Sequence, residues 1–183
     1  AEGEEYLEAK EELAEELLAL KQYNHFRDTL NNLSYGADVE IHNPALAGYF
    51  WYRRGEFAKS VKNLGPIAKD IGDNAVLLDI LANAYFLTGD GKKALEVFED
   101  AIKDSPTNWE LRLAYADFTG KLGDYDTAEI HLQAVIDGAY DDYDEMVKLL
   151  PHIKRLGSRE QITQVTNIVE EFEKEFETEV DLE

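Results

Sequence analysis

No cysteine occurs among the 183 residues, which excludes disulfides, thiol catalysis and zinc–thiolate sites without assigning a compartment. No apolar run approaches the roughly 20 residues needed to cross a bilayer, and no signal-peptide pattern is visible. A start at Ala1 rather than Met fits a processed protein or an excised fragment, whose targeting or anchoring segment would lie upstream. Basic residues are the minority: 18 Lys plus Arg stand against 39 Asp plus Glu, a formal net charge of −21. Such a field repels nucleic acid and anionic membrane surfaces and favours basic partners. Solubility, or a salty cytoplasm, accounts for it equally well. Hydrophobic residues make up 44%, too many for a disordered chain. The sequence leaves the compartment open, a soluble cytoplasmic protein being the favoured expectation, with no cofactor and no metal.

What is present is a beat. Residues 75–108 read as two amphipathic helices joined by a Gly-Asp-Gly turn. Leu81, Ala82 and Tyr85 mark one face of the first helix, and Ala94, Phe98 and Ala101 mark one face of the second at i, i+4, i+7. Gly89 stops the first helix, because a residue past a helix end often needs positive φ. Pro106 prevents the second from continuing. Shifts by multiples of 34 residues find glycine again at Gly55, Gly123 and Gly157, a register too strict for chance. The chain divides on this basis into repeats 7–40, 41–74, 75–108, 109–142 and 143–176, with an acidic end at 177–183.

In chain order, helices are expected from about Glu4 to Lys21 and from about Tyr23 to Tyr35, with Gly36 as C-cap. Lys21 replaces the interhelix glycine, as suits a degenerate first repeat. Asn43 and Pro44 form a helix start, Asn as N-cap and Pro pre-set at the first helical position. Gly65-Pro66 falls inside the next helix and predicts a kink or early stop, with Ile67 still on the inner stripe. Gly138 reads as a C-cap, Pro151 as a second kink, and Ser158 with Gln161 as a capping box. The last helix is expected to run well past Val169 and to fray near Thr178.

These residues resemble the tetratricopeptide repeat family. Leu81, Ala82, Tyr85, Gly89, Ala94, Phe98, Ala101 and Pro106 meet its skeleton, and Tyr115, Ala116, Gly123, Ala128, Leu132 and Val135 meet it again one repeat later. The resemblance is strong in the third and fourth repeats, moderate in the second and weak in the first and fifth. It implies an all-α, right-handed superhelical solenoid of about five antiparallel helix pairs, first and last degenerate. The first helix of each pair would line a concave groove holding an extended peptide or a partner helix. It implies no catalysis.

On that register, the groove residues in the middle of the chain are Tyr49, Tyr52 and Arg53; Asp79, Asn83 and Phe86; Glu110, Leu113 and Asp117. Tyr49, Tyr52 and Phe86 would anchor apolar side chains, with Tyr52 and Phe86 equally readable as inter-repeat core. Asp79, Glu110 and Asp117 would favour Lys or Arg, so the expected partner is a basic or amphipathic protein or peptide. Some family members clamp acidic chaperone tails with Lys, Asn and Arg. Here only Asn83 occupies a comparable place, while Ala45, Tyr49, Glu110 and Ala114 fill the other slots, which argues against that ligand.

Catalytic patterns are absent. His25, His42, His131 and His152 show no ligand spacing. Asp141, Asp142, Asp144 and Glu145 have neither the glycine nor the alternation of a calcium loop and read as a solvated helix start. Thr88 to Lys93 looks like a phosphate loop but follows a helix and has no Ser or Thr after its lysines, so it reads as a turn. The expected function is a non-enzymatic interaction scaffold. The alternatives are a secretion or assembly chaperone shielding an apolar client, and a homo-oligomer assembled by docking of a terminal helix.

Overall fold

The computed structural model describes residues 41–180, with side chains to Phe176, and isolated positions Lys10, Glu12, Ala14, His25 and Thr29. Apart from those isolated positions, the two expected helices of the first repeat, and the Gly36 cap, lie outside the described residues. Among these, every regular element is helical: α1 Pro44–Arg53, α2 Phe57–Leu64, a 3₁₀ turn Gly65–Ile67, α3 Ala68–Ile71, α4 Ala75–Leu87, α5 Gly91–Asp104, α6 Trp109–Lys121, α7 Tyr125–Ala139, α8 Tyr143–Leu156 and α9 Arg159–Val180. The fold is all-α, as the periodicity requires.

Apart from α2 and α3, whose starts carry no side-chain cap, each α-helix begins where a short polar side chain can satisfy the free amides of its first turn. The Asn43 carboxamide accepts from the Ala45 and Leu46 amides at 2.8 and 3.1 Å. Asn74, Asn108 and Asp142 accept from the amides of Leu77, Leu111 and Glu145. Asp90 and Asp124 do the same for Lys93 and Thr127. Ser158 and Gln161 exchange reciprocal bonds at 3.2 and 3.3 Å, the capping box anticipated from the sequence. Gly55, Gly89 and Gly123 all stand at positive φ, where a Cβ would be strained.

The chain separates into two compact units, Ala1–Gly72 with Ile80–Leu95, and Asp73–Asp79 with Glu96–Glu183. In the first, α1 packs on α2. Gly48 permits this: a Cβ there would fall 2.2 Å from Leu64 Cγ, and the buried Ser60 hydroxyl donates to the Gly48 carbonyl at 2.8 Å. The expected break at Gly65-Pro66 occurs, α2 giving way to the 3₁₀ turn and then α3. Gly65 is small for a packing reason, because a Cβ there would lie 2.8 Å from the Tyr85 hydroxyl.

In the second unit α6 pairs with α7 and α8 with α9, and α8 also contacts both members of the preceding pair. One cluster runs through them: Ala116, Ala128, Leu132, Val135, Ile136 and Ala139 continue into Met146, Leu149, Ile153, Val165 and Val169. No pair encloses a core alone, as expected of stacked repeats. Phe98 is fully buried, stacking on Tyr115 at 5.1 Å and lying 5.5 Å from Phe118.

Two sequence readings are corrected. Gly138 lies inside α7, which ends at Ala139 with Tyr140 as cap. It is small because the Trp109 indole covers it, a built Cβ falling 2.2 Å from Cζ2. Gly157 is extended, at φ −76° and ψ 158°, so it departs from the positive-φ turn of its three predecessors. A Cβ there would crowd the Ile153 carbonyl at 2.8 Å. As expected, α9 runs well past Val169, reaching Val180.

Candidate partner-binding site

The first helices carry the residues singled out for contact, and the 34-residue register aligns them in rows: Tyr49, Asn83 and Asp117 in one, Tyr52 and Phe86 in another, Asp79 and Leu113 in a third.

In the first unit, Tyr49 is 6% exposed and belongs to the core, so it offers a ligand almost no surface. Tyr52 is half-buried, its ring 5.5 Å from Phe57, and Arg53 is exposed. Asn83 is half-buried. Phe86 is 45% exposed, a large aromatic with much of its ring at the surface near the end of α4. Leu87 beside it is also exposed.

In the second unit, Asp79 and Leu113 are half-buried and Glu110 is exposed. Leu113 packs against the shared core cluster, which leaves only part of it for a ligand. Asp117 is already engaged. One carboxylate oxygen accepts from His152 Nδ1 at 3.1 Å and from the Arg155 guanidinium, both on α8. Burial, the largest single influence, pushes the Asp117 carboxyl up, but the hydrogen bonds and charges of His152 and Arg155 together hold it below its ordinary value. This carboxylate ties α6 to α8 and is not a vacant acceptor for an incoming cation. On the same helices Val147 is 41% exposed, and Pro151, Lys154 and Lys121 are exposed as well.

A second constellation, unseen in the sequence, lies on the opposite side of α6. An open hollow of about 360 Å³ is lined by Glu99, Ile102, Lys103, Tyr115, Thr127 and His131. The Tyr115 hydroxyl donates to Glu99 at 3.2 Å. Burial first, then the Glu99 charge, push its pKa well above the usual phenol. The His131 ring packs 4.7 Å from that of Tyr115, and its Nδ1 lies 3.3 Å from Arg112 Nη1. Arginine can only donate, so neutral His131 accepts at Nδ1 and carries its proton on Nε2. Burial and then the Arg112 charge lower its pKa. No signal in the sequence joins these residues, since they come from three helices.

Among the described residues no group of three His, Asp or Glu is placed to hold a metal ion, and no helix is long and apolar enough to cross a membrane.

Comparison with known proteins agrees with this architecture. The sequence model of the tetratricopeptide repeat matches residues 85–151. A thermophilic TPR protein of Thermus thermophilus, TTC0263, superposes with a TM-score of 0.53 at 18% identity, covering 95% of each chain. MamA MSR-1 is also similar, at 15% identity and a TM-score of 0.49, over 88% of this chain and 95% of its own. No characterised protein sequence matches.

Proposed function

Because the chain carries tetratricopeptide repeats across residues 85–151, we propose that it is a non-enzymatic scaffold holding a peptide or helix of a partner protein on its first-helix faces. In the first unit the contact residues are Tyr52, Arg53, Asn83 and Phe86. The observation that carries the reading is Phe86, an aromatic 45% exposed on a repeat helix, one register step from Tyr52. Large aromatics at partly desolvated positions supply much of the energy of protein recognition. With Tyr49 in the core, the anchoring role falls to Tyr52 and Phe86.

In the second unit Asp79, Glu110 and Leu113 take the corresponding part, and the carboxylates select basic residues. Asp117 acts there as a tie between helices. Apolar side chains of a partner suit the aromatics of the first unit, and cations suit the acids of the second. The test is titration of the intact protein with a basic amphipathic helical peptide. Phe86→Ala and Asn83→Ala should each weaken binding about tenfold, on the order of 1.4 kcal/mol, while thermal stability holds. Affinity equal to wild type in both variants would remove the site.

A further inference from the structure

On the second unit, Tyr143, Phe172 and Phe176 form an aromatic corner between the start of α8 and the distal part of α9. The rings of Phe172 and Phe176 meet Tyr143 edge-on at 5.8 and 5.4 Å, and stack on each other at 6.4 Å. Phe176 remains 48% exposed. Carboxylates rim these rings. Asp141, Asp142 and Asp144 flank Tyr143 in the chain, and Glu171, Glu173 and Glu175 neighbour the phenylalanines on α9, all of them exposed, with one exposed cation, Lys174, among them. The Tyr143 hydroxyl donates to Glu173 at 3.5 Å, joining ring and rim. Lys148, the nearest cation on α8, is held by Glu145 at 2.6 Å.

We propose that this corner is a docking surface for an arginine-rich segment of a partner protein. Two properties of guanidinium fit it together. Its planar cation stacks on aromatic faces, and its fork of donors matches a carboxylate. A lysine supplies the charge without the plane. A second copy of this chain, a phosphate or an anionic lipid surface would bring negative charge to a rim that is already negative on a chain of net −21. Its rings, Tyr143, Phe172 and Phe176, are not among the contact residues named above, although Asp144 holds the register position of Glu110, so Phe86 and Phe176 variants test the two readings separately.

The experiment titrates the intact, isotope-labelled protein with hexa-arginine, hexa-lysine and hexa-glutamate peptides, following backbone amide shifts. Hexa-arginine should shift residues 141–145 and 170–176 first, bind at least threefold more tightly than hexa-lysine, and leave hexa-glutamate without effect. Phe176→Leu, which keeps apolar bulk and removes the aromatic face, should weaken hexa-arginine at least threefold, and Phe176→Tyr should retain it. Asp144→Asn should weaken both cationic peptides. Shifts spread evenly over all acidic residues, shifts centred on α1 and α4, or a Phe176→Leu variant that binds as wild type would each overturn the proposal.

Discussion

Gly138 on α7 lies directly beneath the indole of Trp109 on α6, close enough that a Cβ would fall 2.2 and 2.4 Å from two ring carbons. One repeat later the same two positions hold Tyr143 and Phe172, whose rings meet edge-on at 5.8 Å. Large over small has become large beside large. Because a rigid ring must move to admit a methyl group, Gly138→Ala should destabilise the fold by about 1–3 kcal/mol, even though alanine is the better helix former. Urea unfolding followed by circular dichroism measures this, and Trp109→Leu in the same chain should recover part of the loss.

Asn108 serves two neighbours. Its carbonyl oxygen caps α6 at the Leu111 amide at 3.0 Å, while its nitrogen donates to the Asp73 carbonyl and carboxylate at 3.0 and 2.9 Å. Asn108→Ala should therefore cost about 1–2 kcal/mol, the upper range for a lost cap. Asn108→Asp keeps the cap but opposes a carboxylate to Asp73. It should be destabilising at low salt and partly rescued at high salt, as read from thermal midpoints.

Gln161 is buried and fully used. Its side-chain nitrogen donates to the Glu129 carbonyl at 2.9 Å and to Gln133 at 3.2 Å, and its oxygen accepts from the Ser158 amide. Gln161→Ala removes the donor to the partly buried Glu129 carbonyl and to Gln133 and should cost about 1 kcal/mol. Hydrogen exchange at the α9 start should accelerate in the variant.

The His131 ring, lowered in pKa by burial and then by Arg112 from a usual 6.5, makes stability depend on pH. Between its folded value and 6.5 the unfolded chain binds more protons than the folded one, so stability rises with pH there. It is fully present above about 6.5 and is lost as the pH falls through the folded value. His131→Gln should flatten this limb in unfolding curves taken between pH 7.5 and 5, relative to wild type.

Much of this architecture was legible because repetition makes a weak local signal redundant. Glycine at 55, 89 and 123 announced three turns, and each stands at positive φ. The caps share the same beat, Asn74, Asn108 and Asp142 in one series and Asp90, Asp124 and Ser158 in the other, which the apolar stripe alone overlooks. Gly138 misled because a glycine needed for a close contact looks the same in sequence as one needed for a turn. The partner surface was less readable. Facing direction follows from helical register, but Tyr49 shows that a side chain on the expected face can still be covered. Asp117 shows that a carboxylate can find its cations, His152 and Arg155, within the chain. Both outcomes depend on neighbours well outside the local helix, beyond any short-range pattern.

The central claim is that partner peptides engage the first-helix faces through exposed aromatics. Its most direct test is hydrogen exchange on the intact protein with a peptide selected for binding from a random display library. Protection should appear on α1 and on Ile80–Leu87 of α4, and should vanish in Phe86→Ala. Protection confined to the second helices α2, α5 and α7, unchanged in Phe86→Ala, would contradict the account.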